Sequence, residues 1–210
     1  MLEIDIRKIP VFWINLDKDV VRREAMLTFF DENKFENVTR VPGVIAHKRD
    51  ADVAKLIGCS AAFVAAFDKA PVSNFIIMED DCVPVQGFSP VVRMPEDTDA
   101  FYLGISQAGA SVAACGKNYY LGLGIVQAVP VTSTVSKITN MLSAHSVYYR
   151  SLRYAAMCRT ARKESIKREI NGDILIALNM REHNVYANVR PAFYQHSNIE
   201  ATNVEICNVT

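Results

Sequence analysis

Long apolar runs, paired cysteines and an excess of charge of either sign are all missing from this sequence of 210 residues. No stretch approaches the roughly 20 consecutive apolar residues of a membrane span, and the charged segment 3–8 differs from a signal peptide. The five cysteines are odd in number and form no CxxC pair, which favours a reducing compartment over a disulfide scaffold. Basic and acidic residues balance at 23 each, so no overall basic field indicates a nucleic-acid partner. We therefore expect a cytoplasmic protein without a transmembrane segment.

Hydrophobic residues make up 50% of the chain, which suffices for a sizeable core in a single domain. In the first half, apolar runs rich in β-formers alternate with segments of helical periodicity. The runs at 9–16, 38–41 and 74–78 predict strands, and segments 19–33 and 50–69 predict the helices between them. This alternation predicts an α/β domain with a mostly parallel central sheet flanked by helices.

The second half of the chain is less regular. Residues 84–98 are rich in proline and predict a loop, and the Gly-, Ala- and Ser-rich residues 106–124 predict an irregular substrate loop. Further elements are expected as follows: strands at 100–103, 125–131, 145–149 and 185–189, and helices at 150–163 and 172–183. From Pro191 onward we expect a polar, irregular tail.

Three consecutive acids, Glu79, Asp80 and Asp81, follow the predicted strand at 74–78. Neighbouring carboxylates repel one another, and a divalent cation removes that cost. Their oxygen ligands suit Mg²⁺ or Mn²⁺, and ligands collect at the carboxyl ends of parallel strands. This pattern alone leaves a metal site and a solvated turn equally open. Response-regulator receiver domains also carry strand-end acids, but their pair follows the first strand, whereas two strand–helix units precede this cluster.

The segment 12–17 reads FWINLD and is followed by Arg22-Arg23. It resembles the I-N-L-D-x(4)-R-R opening of lipopolysaccharide-type (family 25-like) glycosyltransferases. Gly58-Cys59-Ser60 and the FIIMEDD strand at 75–81 resemble that family's G-C-x-x-S-H helix and L-I-L-E-D-D strand, in the same order. Within that family, the sequence resembles the small glycosyltransferases of chlorella viruses.

This resemblance is firm over about residues 10–105, with Phe63 standing where the family usually has His. It implies a single GT-A domain over 1–210, Rossmann-like, in which 1–105 binds the nucleotide sugar and metal and 106–210 binds the acceptor. The implied reaction moves a hexose from a UDP-sugar, with UDP-glucose favoured, to a hydroxyl of a glycan or glycoprotein. The implied cofactor is Mn²⁺ or Mg²⁺.

The resemblance also implies donor-binding residues around the two strand ends: Asn15, Leu16, Asp17, Arg22, Arg23, Glu79 and Asp80. Either arginine could reach the uracil or the diphosphate. Asp81 is the firmest metal ligand. The sequence reads E-D-D and not D-x-D, which leaves open whether Glu79 also touches the metal.

Two later residues complete the candidate site. Asp173, in the Asn171-Gly172-Asp173 start of a predicted helix, is either a helix N-cap or an acid near the acceptor hydroxyl. In the second role it could act as general base. Asp173 and Asp80 are the two candidate catalytic residues. Many GT-A enzymes complete the metal site with a C-terminal His, which makes His196 the candidate third ligand beside Asp81 and Glu79, with a surface histidine as the alternative.

Other interpretations stay open. The basic residues Arg159, Arg162, Lys163, Lys167 and Arg168 predict a solvated helix face. The strand-end acids also fit a metal-dependent nucleotidyltransferase or nucleotide-sugar hydrolase, although no glycine-rich phosphate loop follows the first strand. A catalytically idle sugar-nucleotide binding module is the third possibility.

Overall fold

The computed structural model describes residues 1–106, 108–110 and 124–195. The helices are α1 Val20–Glu32, α2 Ala51–Lys69, α3 Leu152–Arg168 and α4 Gly172–Asn179, with 3₁₀ turns at Ile6–Lys8 and Met180–Glu182. The strands are β1 Leu2–Asp5, β2 Val11–Asn15, β3 Val38–Pro42, β4 Phe75–Glu79, β5 Cys82–Pro84, β6 Val91–Met94, β7 Ala100–Tyr102, β8 Ala108–Gly109, β9 Gly124–Ile125, β10 Gln127–Pro130, β11 Val135–Thr139, β12 Ser146–Tyr149, β13 Val185–Asn188 and β14 Phe193–Gln195. Most of the loop predicted over 106–124 lies outside the described residues. None of the helices in the described part of the chain combines the length and apolarity needed to cross a bilayer.

Eight strands form the central sheet in the order β10–β11–β13–β7–β12–β4–β2–β3. Parallel pairs join β2 to β3, β2 to β4 and β13 to β7. Strands β11 and β12 each run antiparallel to both of their neighbours. The domain is therefore α/β with a mixed sheet flanked by helices, and its mostly parallel character is not confirmed. The connections explain the difference, because α1 and α2 supply the long crossovers that parallel pairs need, while the short turn 131–134 reverses the chain.

The two faces of this sheet carry separate apolar clusters. Alternation along β2 sends Phe12 to the cluster that includes Phe67 of α2 and Tyr154 of α3. Trp13 points to the opposite cluster, where its ring lies 5.9 Å from that of Phe30 in α1, centroid to centroid. Burying each such side chain contributes about 1.5–3 kcal/mol. Helices packed on both faces hold the ends of β2 and β4 in place.

Several segments differ from the sequence prediction, including β1, because no strand was expected before residue 9. The proline-rich stretch 84–98 contains β6, which pairs antiparallel with β1. Pro90 and Pro95 flank this strand on either side and therefore remove no hydrogen bond from its ladder. The tail from Pro191 contains β14, which pairs with β5. Strand β11 lies where no strand was expected.

Candidate functional site

The carboxyl ends of β2 and β4 form the floor of the candidate site. These strands are parallel neighbours with Ile14 opposite Glu79, so Asn15 and Asp80 reach the same edge of the sheet. Asn15 Nδ2 donates to Asp80 Oδ2 at 2.6 Å, and Arg22 Nη1 donates to Asp80 Oδ1 at 3.2 Å. The structure thus brings together polar residues that the sequence separates by 65 positions.

Arg40, which the sequence analysis missed, fixes this edge from β3. Its Nε donates to Asn15 Oδ1 at 3.0 Å, and its Nη2 donates to the Asn15 carbonyl at 3.0 Å and to Asp17 Oδ1 at 2.5 Å. Asn15 is only 1% exposed, so these contacts hold its amide group toward Asp80. Leu16 packs beside Gly43, where an added Cβ would lie 2.8 Å from Leu16 Cδ2. The position of Arg40 on β3, the strand next to β2, is the signal that could have identified it.

A cleft of about 290 Å³ opens above this floor. Its walls are the segment after β2, the segment 43–46 and one face of α2. That face presents Lys55, Gly58, Cys59 and Ala62, whose spacing of three, four and seven residues places them along one side of a helix. A Cβ at Gly58 would lie 2.3 Å from the carbonyl oxygen of Val44, so glycine lets the 43–46 wall approach α2. The volume lies near the lower end of the range for small-molecule pockets.

Cationic side chains line the same cleft. Arg22 contributes from α1, Lys18 from the turn before it and Lys55 from α2. Arg22 is among the lining residues and Arg23 is not, which distinguishes the two arginines that the sequence left open. Lys18 and Lys55 were missed because neither belongs to a recognisable motif. These groups are donors of the kind that bind phosphate oxygens, and the acids Asp19, Glu79 and Asp80 line the same cleft.

Asp81 lies in the turn after β4, and its two oxygens have different surroundings. Oδ2 accepts a hydrogen bond from Gln195 Nε2 at 3.0 Å, which the pairing of β14 with β5 makes possible. Oδ1 is buried and has no hydrogen-bond partner among the described residues. A buried carboxylate oxygen without a donor fits a cation ligand. His196 follows Gln195 in sequence but lies outside the described residues, so its role as a ligand stays a prediction.

Their surroundings make the ionised forms of Glu79 and Asp80 unfavourable. Burial, with smaller contributions from the negative charges of Asp81 and Asp173, raises the pKa of Glu79 to about 8, while Arg162 acts in the opposite direction. Burial also raises the pKa of Asp80, although hydrogen bonds from Asn15 and Arg22 counteract it. A bound cation would favour the ionised forms of these groups.

Asp173 faces this cluster from α4 and is not the helix N-cap. Asn171 takes that position, because its Oδ1 accepts from the backbone N–H of Asp173 at 2.9 Å. The Asp173 carboxylate instead forms an ion pair with Arg162 of α3. Arg162 is only 1% exposed, so the solvated face predicted for the basic residues of this helix is wrong at this position. Its guanidinium carbon lies 4.0 Å from the centroid of the Phe63 ring.

The oxygen donors at this edge suit a hard divalent cation in chemical type. Within the described residues, no group of three or more His, Cys, Asp or Glu side chains is arranged to hold a metal by itself. The unpartnered oxygen of Asp81 is therefore the main structural observation in favour of a metal. A complete ligand set would need further oxygens from a phosphorylated ligand or water, or a residue beyond Gln195.

No protein-family model matches the chain, and the search of curated proteins found no match. A functional assignment must therefore come from the sequence motifs and from the geometry of this edge of the sheet.

Proposed function

We propose that this protein is a metal-dependent glycosyltransferase of the GT-A type. It would move a hexose from a UDP-sugar, with UDP-glucose favoured, to a hydroxyl of a glycan or glycoprotein. One observation carries the proposal: the hydrogen-bonded Asn15, Asp80 and Arg22 border the cleft, and the next residue in sequence, Asp81, has a buried oxygen without a hydrogen-bond partner among the described residues. The resemblance of segments 12–17 and 75–81 to lipopolysaccharide-type glycosyltransferases supports the same conclusion.

The lining of the cleft includes both apolar and cationic surfaces, which suit a nucleoside diphosphate. Its apolar wall, from Val44 to Ala46 and across Ala62, offers a surface for a planar base. Lys18, Arg22 and Lys55 supply cationic hydrogen-bond donors for the diphosphate. Asn15 cannot turn away from this site because Arg40 and Asp80 hold both ends of its amide group.

The residues around the cleft also fit a divalent cation. Glu79, Asp80, Asp81 and Asp173 lie in one electrostatic cluster with Arg162, and Arg22 pairs with Asp80. The raised pKa of Glu79 favours its protonated form near neutral pH when no cation is bound. A divalent cation would favour loss of that proton and would balance the excess of two carboxylates over guanidinium groups that results. When bound, Mn²⁺ or Mg²⁺ would supply Lewis-acid stabilisation of the leaving diphosphate. Asp81 would hold it, with Glu79 and His196 as the further candidates.

Asp173 would serve the acceptor side of the reaction. One of its oxygens is engaged by Arg162, which leaves the other to accept a hydrogen bond from an attacking hydroxyl. Asp80, held by Asn15 and Arg22, would orient the donor sugar. Arg22 would stabilise the negative charge that develops on the departing diphosphate.

Release of UDP from a panel of UDP-hexoses tests this function. We expect turnover with Mn²⁺ or Mg²⁺, none in EDTA, and a higher rate when a glycan acceptor is added. Asp81→Asn should lose at least about 100-fold in rate, whereas Asp31→Asn, a change on the exposed side of α1, should behave as wild type. Release of UMP would favour the hydrolase or nucleotidyltransferase, and UDP-sugar binding without turnover would favour the idle binding module. Full activity of Asp81→Asn would remove the metal assignment.

A further inference from the structure

The buried Arg162 is the strongest feature that the proposed reaction leaves unexplained. Its side chain is 1% exposed, yet it carries a charge that is costly to remove from water. Asp173, which keeps 22% of its side chain exposed, is the ion-pair partner. The guanidinium is thus covered by protein while the carboxylate that it holds still reaches solvent.

The surroundings of Arg162 leave its guanidinium little freedom. The Phe63 ring lies beneath it, and Nη1 approaches Cys59 Sγ at 4.0 Å. A Cβ at Gly172 would lie 2.7 Å from Arg162 Cδ, so this glycine lets the start of α4 close over the arginine. Nε has no hydrogen-bond partner among the described residues. Three helices, α2, α3 and α4, therefore surround one group whose ion-pair partner is Asp173.

The same pair lies next to the lining of the cleft. Cys59 and Phe63, the two α2 residues that the guanidinium of Arg162 contacts, both line the cleft together with Glu79. Arg162 therefore holds the Asp173 carboxylate beside this part of the cleft. The ion pair between Arg159 of α3 and Asp68 of α2 differs from this one, because both of its partners are about half exposed.

We propose that Arg162 is a positioning residue that fixes the Asp173 carboxylate toward the hydroxyl that attacks the donor sugar. This inference rests on the proposed function. Arginine suits the task because its planar, permanently charged group can stack on Phe63 and pair with a carboxylate at the same time. Lysine would keep the charge but lose both the stacking surface and the fixed direction of the donors. Misplacing a reacting group by about 1 Å can cost about 100-fold in rate.

The test compares Arg162→Lys with Arg159→Lys, the same substitution one turn earlier on α3. UDP release from UDP-hexoses, with water as acceptor, gives kcat, and titration calorimetry with UDP and Mn²⁺ gives the donor-site Kd. We expect kcat of Arg162→Lys to fall about 10- to 100-fold with Kd changed less than about threefold. Arg159→Lys should match wild type in both measurements. Equal kcat values for the two variants, or a loss of UDP binding as large as the loss of kcat, would overturn the inference.

Asp173→Glu provides a second test that does not depend on how Arg162→Lys folds. It keeps a partner for Arg162 but moves the carboxylate by one methylene. We expect a folded protein that binds UDP and loses at least about tenfold in kcat. Retained kcat would show that the ion pair is only structural. If wild type releases no UDP from any UDP-hexose, the proposed function itself fails and the inference falls with it, whereas an active wild type with unaffected variants refutes the inference alone.

Discussion

Asp81→Asn should stabilise the protein in the absence of metal while abolishing its response to metal. Asp81 Oδ1 is buried without a hydrogen-bond partner among the described residues, and it follows directly on Glu79 and Asp80. Asparagine keeps the shape of the side chain, and its Oδ1 can still accept from Gln195 Nε2. The substitution therefore removes a repelled negative charge with little change in packing.

The size of this effect follows from the surroundings of the carboxylate. Leaving a buried polar group unpaired costs about 1–3 kcal/mol, and more when it is charged. An unpaired amide group at the same place retains part of that cost, so we expect a net gain of about 1–2 kcal/mol for Asp81→Asn in EDTA. For a protein of this length, 1 kcal/mol corresponds to about 2–4 °C in Tm. Wild type at ten times its Kd for Mn²⁺ should gain about 1.4 kcal/mol, which the variant cannot.

Thermal unfolding in EDTA measures the stability gained by the substitution, and thermal unfolding across an Mn²⁺ titration measures the stability gained from the metal. Asp81→Asn should melt above wild type in EDTA, and the difference should shrink or reverse as Mn²⁺ is added. Asp31→Asn on the exposed side of α1 controls for a general effect of removing a negative charge. A variant that is less stable than wild type in EDTA and still gains stability from Mn²⁺ would refute the assignment of Asp81 as a cation ligand.

Two further perturbations test the charges around the site. Burial lowers the pKa of His145 to about 4 from its ordinary 6.5. As pH falls, the unfolded chain therefore takes up a proton before the folded protein does. The free energy of unfolding should then fall by up to about 3 kcal/mol between pH 6.5 and pH 4. Urea unfolding between pH 4 and 8 should show a smaller loss in His145→Gln and an unchanged loss in the exposed His47→Gln. If wild type and both variants lose stability equally as pH falls, the prediction is wrong. Arg22→Met should weaken UDP binding about tenfold in calorimetry, because one charged hydrogen-bond donor leaves the cleft. Arg23→Met should change it less than about twofold, and the opposite order would show that the wrong arginine was chosen.

Much of the first half of the fold could be predicted from the sequence, because its signals are local. The apolar run before Asn15 predicts β2 and the run before Glu79 predicts β4, each to within about two residues of the observed bounds. Asp50 and Asp52 were both candidate caps of α2, and the structure has Asp50 in that position, with Oδ1 accepting from the backbone N–H groups of Asp52 and Val53. Pairing between distant strands is not a local property. The insertion of β12 between β4 and β7, antiparallel to both, therefore could not be predicted from periodicity.

The difference between local and long-range signals also applies to the site. Two polar segments at the ends of neighbouring parallel strands had to meet, so the approach of Asn15 to Asp80 could be anticipated from the strand pattern. The burial of Arg162 could not be anticipated, because its spacing from Arg159 and Lys163 is that of an ordinary polar helix face. Only the packing of α3 against α2 shows that one of these cations is buried.

Phe63 connects the sequence pattern to this packing. Where the lipopolysaccharide-type glycosyltransferases usually carry His, this chain carries a phenyl ring that is 1% exposed and lies under the guanidinium of Arg162. An imidazole at that position would be a poorer surface for a cation, and below its pKa it would add a second positive charge beside the first. This difference from the motif that residues 58–63 resemble has a physical counterpart, because an apolar ring at Phe63 permits a buried arginine, and the buried arginine in turn requires the carboxylate of Asp173.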